Sequence, residues 1–177
     1  MDKQVMVEMN EQINFELYSG YIYLELGLIM EKQNYKGFSA WLMEHYKEEL
    51  EHASDFIDFM IKRGVTPTLH DIKMEKFDVT EPVDVAKIIY EHEQKVTKRI
   101  FDLHDVAKKA NDYATEIFMH SYICEQIEEE DTTQDILDSF TLAGDNVAAK
   151  LIVDRDFLHK KRCKKQHGKL HKDNCCS

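Results

Sequence analysis

The sequence predicts an all-α protein: four long helices in a bundle, a long crossover between the second and third, and a short fifth helix. Two observations carry this. Only two prolines and six glycines interrupt 177 residues, and the stretches between them are rich in Glu, Lys, Leu, Ile and Met, which are good helix formers. Within those stretches apolar residues recur at helical spacing, giving four long stripes. A chain of this length forms one domain of ordinary size and can bury a continuous core without covalent staples.

The breakers set the boundaries. The first helix, α1, should run from about Lys3 to Lys32 and end at the run Gln33 to Gly37. The second, α2, should run from Phe38 to Arg63, with Gly64 in the C-terminal cap position. Residues 65–81 contain Pro67 and few periodic apolar residues, so they read as a long connection. Thr80 can cap α3, with Pro82 tolerated in its first turn, and that helix should continue to about Ala110. Asn111 and Asp112 restart the chain as α4, which should reach Ala143 and stop at Gly144. A shorter α5 should follow from Asp145 and Asn146 to about Lys160, with Val147, Leu151, Ile152 and Leu158 on one face. Short links make α1–α2 and α3–α4 antiparallel neighbours, and a connection long enough to travel the bundle makes α2 and α3 parallel. The domain is thus residues 1–160, followed by a tail over 161–177.

Each apolar stripe is interrupted near its middle by an acid. Glu16 lies among Ile13, Leu17, Tyr23 and Leu24; Glu49 and His52 lie between Leu42, Tyr46, Phe56 and Phe59. Glu93 lies between Ile89, Val96 and Ile100; Glu129 follows Phe118 and Tyr122 and precedes Ile136 and Phe140. An ionised carboxylate in a core costs several kcal/mol unless it is compensated, and four acids with one histidine cannot neutralise one another. A cation is required. Glu49 and His52 are one turn apart on one helix face, and Gln126 and Glu129 repeat that spacing on α4. Helix bundles build di-metal carboxylate sites from such inward groups. An oxygen-rich set with a single imidazole suits Fe(II), Fe(III) or Mn(II) and makes a poor structural zinc site.

Composition narrows the function classes. The formal charge is −11, and residues 159–177 carry seven Lys/Arg against one Asp, so the remainder is more acidic still. An acidic body repels nucleic acid and attracts cations. No apolar run has the length of a secretory signal or a membrane span, so a soluble, cytoplasmic protein is expected. The four cysteines, three of them in the last fifteen residues, form no disulfide framework and are expected to be reduced.

The run Asn10 to Ser19, with Tyr21-Ile22-Tyr23, Glu48-Glu49-Leu50-Glu51-His52, Glu91-His92-Glu93, Glu125-Gln126-Ile127-Glu128-Glu129 and Leu142-Ala143-Gly144, resembles the non-haem ferritins, most closely the bacterial type. The resemblance covers residues 1 to about 160 and implies a ferritin-like bundle that oxidises Fe(II) with dioxygen at a di-iron ferroxidase centre. By that resemblance Glu16, Glu49 and His52 hold the first iron, with Glu49 as the bridge. Glu93 and Glu129 hold the second, with Gln126 beside it. Glu48, Glu125 and Glu128 match a third iron position that shares Glu129, and Tyr23 matches a tyrosine that bonds near the centre and can donate one electron. It further implies a homo-oligomeric shell of twenty-four subunits around an Fe(III) oxide mineral, with α5 lining the four-fold axes and Glu51 and Asp55 as candidates for the cavity wall.

Departures from the family pattern limit other functions. Leu50 stands where the haem-binding branch has methionine, so no haem is expected. Met119 replaces an acid of the animal three-fold pore, which leaves Glu116 alone there. Met6, Met9, Met30, Met43 and Met60 read as core filler, and His45, His70, His92, His104 and His120 as surface or core residues without paired ligand spacing. In the tail, Cys163, His167, His171, Cys175 and Cys176 repeat soft ligands about every fourth residue. They fit either a disordered basic segment or a soft-metal site. A competing function class is a ferritin fold used in peroxide detoxification, or in DNA protection through the basic tail; nucleic acid is not expected as a partner of a closed shell.

Overall fold

The computed structural model describes the backbone of residues 1–167 and the side chains of residues 1–158, and among the described residues it contains five helices and no strand. They are α1 (Lys3–Lys32), α2 (Lys36–Lys62), α3 (Pro82–Lys109), α4 (Tyr113–Ala143) and α5 (Val147–His167). Asp2 caps α1 by accepting from the Gln4 N–H at 2.8 Å. Asn34 and Asn111, in the tight links after α1 and α3, adopt positive φ of 68° and 53°, a conformation asparagine tolerates better than most residues. Gly64 follows α2 at φ 76°, as the C-terminal glycine signal predicts.

Side-chain pairs fix the directions. Ser39 Oγ donates to the Gly27 carbonyl at 2.9 Å, so α1 and α2 run antiparallel from the short link. Gln126 Nε2 donates to Glu93 Oε2 at 3.0 Å, and His104 faces Glu116 near the opposite ends, so α3 and α4 are antiparallel as well. The 65–81 connection is clamped to α1: Thr68 N–H donates to Asn10 Oδ1, His70 N–H to Asn14 Oδ1, and Asn14 Nδ2 to the Thr68 carbonyl. The connection starts at one end of the core, where Val65 packs, and finishes at the other, where Met74, Phe77 and Val79 pack. That long crossover makes α2 and α3 parallel.

Helix α2 begins at Lys36 rather than Phe38, and the cap of α3, the end of α5 and the packing face of α5 also differ from expectation. The cap of α3 is Glu81, not Thr80, because the residue before a proline avoids helical backbone and Pro82 itself takes the first helical position. The Glu81 carboxylate makes no cap bond; it accepts from Lys150 Nζ of α5. Helix α5 runs to His167 rather than about Lys160, since residues 160–166 contain no breaker before Gly168. The face of α5 that packs on the bundle carries Val153 and Phe157, with Lys150 and Asp154 buried beside them; Val147, Leu151, Ile152 and Leu158 are exposed.

The α2–α5 contact depends on Gly37. A Cβ there would lie 1.8 Å from the Asp154 carbonyl oxygen, so no larger residue fits without moving α5. Tyr35 gives α2 no side-chain cap, and Asp154 Oδ1 supplies one from α5 by accepting from the Phe38 N–H at 2.8 Å. The core divides into two apolar clusters. One is built around Leu26, Phe38, Leu42, Ile89 and Phe140, the other around Met9, Ile13, Phe56, Ile100 and Met119. The acids of the four stripes lie between them.

Candidate metal centre

Helix periodicity brings the acids to one level. Glu16 is buried on α1, Glu49 on α2 and Glu93 on α3, with Gln126 buried on α4. Gly20 packs at this level, where a Cβ on it would make ordinary contact with Glu49 Cβ at 3.5 Å. Glu16, Glu49 and His52 offer ligand atoms within 4.8 Å of one another, and so do Glu48, His52 and Glu125. His52 is the imidazole common to both groups, 3.5 Å from Glu49 Oε2 through Nδ1 and 3.4 Å from Glu125 Oε1 through Nε2.

The carboxylates are held from behind. Arg99, stacked 4.6 Å from the Phe15 ring, donates to Gln12, and Gln12 Nε2 donates to Glu16 Oε1 at 2.8 Å. Tyr23 O–H donates to Glu93 Oε1 at 2.5 Å, and Gln126 holds Glu93 Oε2. These bonds fix orientation, as outer partners do around metal ligands. Glu16 Oε2 and Glu49 Oε2 are buried without a hydrogen-bond partner among the described residues. Buried lone pairs left over in an otherwise satisfied site mark a place for a cation.

Proton affinities agree. Burial raises the Glu16 carboxyl above its usual range and raises Glu49 well above it, with the Glu16 and Glu93 charges adding to the Glu49 shift. Burial pushes Glu93 up to about 7. Burial works against a charged His52, but the Glu125 and Glu49 carboxylates facing it outweigh burial and push the imidazole up to about 12. Burial and the surrounding carboxylates hold the Tyr23 hydroxyl well above its ordinary value, so it serves as a proton donor toward Glu93. A divalent ion would replace protons on these acids and supply the charge that the imidazoles leave unbalanced.

Other expected residues are less uniformly placed. Glu129 lies on the same side, its Oε2 3.4 Å from His45 Nε2, and forms a group with His45 and Glu48. Glu128 is exposed and belongs to neither group, and Glu51 and Asp55 are exposed too. His45 was expected to be an ordinary surface or core residue; instead it is a buried neighbour of Glu129, stacked on Trp41 at 3.7 Å. No spacing within α2 pairs it with a ligand, and only the crossing of α4 does so. His92 fits the core reading: it bonds Ser19 Oγ at 2.8 Å, and burial lowers its pKa to about 4. Met119 is fully buried in the second cluster. The side chains of the Cys163–Cys176 run lie outside the described residues.

Comparison with known proteins points the same way. The family described as ferritin-like domain matches residues 7–143. A bacterial non-heme ferritin of Bacteroides fragilis is 36% identical over 141 residues, covering 77% of this chain and 86% of that protein. One of Staphylococcus epidermidis is 29% identical over 156 residues, covering 88% and 94%. The solved open-pore ferritin of the hyperthermophilic archaeon Archaeoglobus fulgidus superposes with a TM-score of 0.86 at 34% identity, covering 89% of this chain and 97% of that one. With the five-helix architecture and the layer of buried acids, these likenesses establish that the chain belongs to the ferritin family and is of the bacterial non-haem type.

Proposed function

We propose that the protein is an iron-storage ferritin that binds Fe(II) as substrate at a dinuclear centre and oxidises it with dioxygen. The Fe(III) product is stored as an oxide mineral inside a homo-oligomeric shell of twenty-four subunits in the cytoplasm. One observation carries this reading: Glu16, Glu49 and Glu93 are buried together and raised in proton affinity, with His52 facing Glu49 and Glu125 beside them. Glu16, Glu49 and His52 hold the first iron. Glu49 bridges to the second, which Glu93 and Glu129 hold, with Gln126 positioning Glu93. Glu48 and Glu125 belong to a third position at the His52 edge, where Glu128 would join only by reorienting.

Two Fe(II) ions held together deliver two electrons to one dioxygen, which with two protons becomes hydrogen peroxide, while each iron becomes Fe(III). The protons displaced from Glu49 and Glu93 on metal binding are a local source. Tyr23, bonded to Glu93, sits where it can pass a further proton or electron. Fe(III), the harder cation, then hydrolyses water and moves on to the mineral.

The exposed Val147, Leu151 and Ile152 of α5 and Leu142, 88% exposed at the end of α4, favour assembly, because such apolar residues gain by burial against other copies. Among the described residues no helix is long and apolar enough to cross a membrane. The test adds Fe(II) in air to the apo protein and follows dioxygen uptake and Fe(III) absorbance against buffer, then sizes the product. Oxidation faster than the blank, with iron eluting in a particle of several hundred kDa, is expected. Oxidation only with added peroxide would shift the reading to peroxide detoxification.

A further inference from the structure

We infer that Arg99 is a positioning residue for the first iron: acting through the Gln12 amide, it decides which oxygen of Glu16 meets the metal and so sets the affinity of that position. The inference rests on the dinuclear reading given above, and it concerns a residue that is not itself a ligand.

Arg99 stands on α3, and its Nε donates to Gln12 Oε1 of α1 at 3.1 Å. An amide side chain can turn either end toward a neighbour, but a guanidinium only donates. Arg99 therefore fixes the Gln12 oxygen toward itself and leaves the Gln12 NH2 group facing Glu16, one turn further along α1. That group donates to Glu16 Oε1 at 2.8 Å. The oxygen left over, Oε2, is buried without a hydrogen-bond partner among the described residues, and Glu49 Oε2 is in the same condition. Glu16 thus presents one defined oxygen, on a carboxylate whose rotation is locked, to the ion it would share with Glu49 and His52.

The anchor is itself held in place. The Arg99 guanidinium lies 4.6 Å from the centre of the Phe15 ring, Phe15 stacks on buried His92 at 5.5 Å and 18°, and His92 Nε2 bonds Ser19 Oγ at 2.8 Å. A planar cation on an aromatic face keeps the aim of its Nε, and a guanidinium does not lose its charge in a protein. Gln12 is buried, which shields its bond to Glu16 from water. Arg99 is only partly buried and borders a cleft of about 240 Å³ lined also by Asn14, Tyr18 and Lys73, so a permanent positive charge stands near the centre without the cost of full burial. A direct ion pair with Glu16 would occupy the oxygens that iron needs. The neutral amide in between transmits orientation and leaves Oε2 unengaged.

Anaerobic titration of Fe(II) into the full-length apo protein tests this without dioxygen. Glu16→Ala identifies the Fe(II) class that uses Glu16. Arg99→Met, which keeps an apolar stem over Phe15 and removes the donor, should weaken that class about tenfold and leave the other Fe(II) classes within about twofold. Gln12→Met should do the same, and the double variant should bind no more weakly than either single one, because the two residues act as one relay. In air, the initial oxidation rate of Arg99→Met should fall at low Fe(II) and return to within about twofold of wild type at saturating Fe(II). Wild-type affinity in Arg99→Met, equal weakening of every class, or losses that add in the double variant would overturn the inference. If Glu16→Ala removes no Fe(II) class, the dinuclear reading fails and the role of Arg99 with it; if it removes one that Arg99→Met leaves intact, only the role of Arg99 fails.

Discussion

Two buried polar regions of this bundle behave in opposite ways. At the α2–α4 junction, Asp112 is nearly as buried as the acids of the centre, yet its carboxyl is held below the usual range: burial opposes the shift, and the Arg63 fork with the Thr115 N–H outweighs it. At the centre, Glu16, Glu49 and Glu93 are raised, because burial acts there with fewer imidazoles than carboxylates. The sign of the shift separates a fold that brings its own counter-charge from one that leaves it to be supplied. The first arrangement holds helices in place, and the second waits for a cation.

The largest test of that contrast is kinetic. Glu49→Ala removes the proposed bridging ligand and should lower initial dioxygen uptake roughly 100-fold, whereas exposed Glu128→Ala should leave it within about twofold. Stopped-flow oxidation of the first two Fe(II) per subunit measures both, and equal rates for wild type and Glu49→Ala would break the assignment. Next comes pH. Glu93 titrates near 7 in the fold against about 4.5 unfolded, so between those values the folded state alone keeps the proton. Stability from that proton is fully present below about 4.5 and lost as pH rises to 7. Raised His52 changes in the same direction above 6.5. The apo melting temperature should therefore fall by on the order of 10 °C from pH 5 to 8, and metal affinity should rise over the same range.

Arg63→Ala should act on stability alone. It leaves Asp112 without its fork and should cost about 2 kcal/mol, or about 5 °C, with oxidation per folded subunit unchanged. Smallest in size but opposite in sign is Glu16→Gln with Glu93→Gln. The pair should raise the apo melting temperature by about 3 °C and remove the increase that metal gives the wild type. If it melts lower than wild-type apo protein, the acids are not in conflict at the centre.

What the sequence made legible follows from where each signal is written. Glu16, Glu49, Glu93 and His52 each contradict the apolar stripe of their own helix, so they can be found without knowing how the helices pack. His45 beside Glu129, and His104 facing Glu116, contradict nothing locally and exist only because α2 or α3 crosses α4. Glu128 shows the converse: its motif spacing is right, but the rotation of α4 leaves it in solvent. Boundaries failed where two local rules competed. Thr80 is a good cap by type, and Pro82 overruled it by backbone geometry.

The hydrogen bond from Phe38 to Asp154 has a bearing on how the molecule is made. Helix α2 carries Glu49 and His52 and is translated early, but the residue that caps it emerges from the ribosome 116 positions later. A nascent chain can close its four long helices and still have a frayed start to the helix that presents Glu49 and His52. The docking of α5 against Gly37 therefore finishes the subunit, and iron binding should mature only after the last helix has left the exit tunnel.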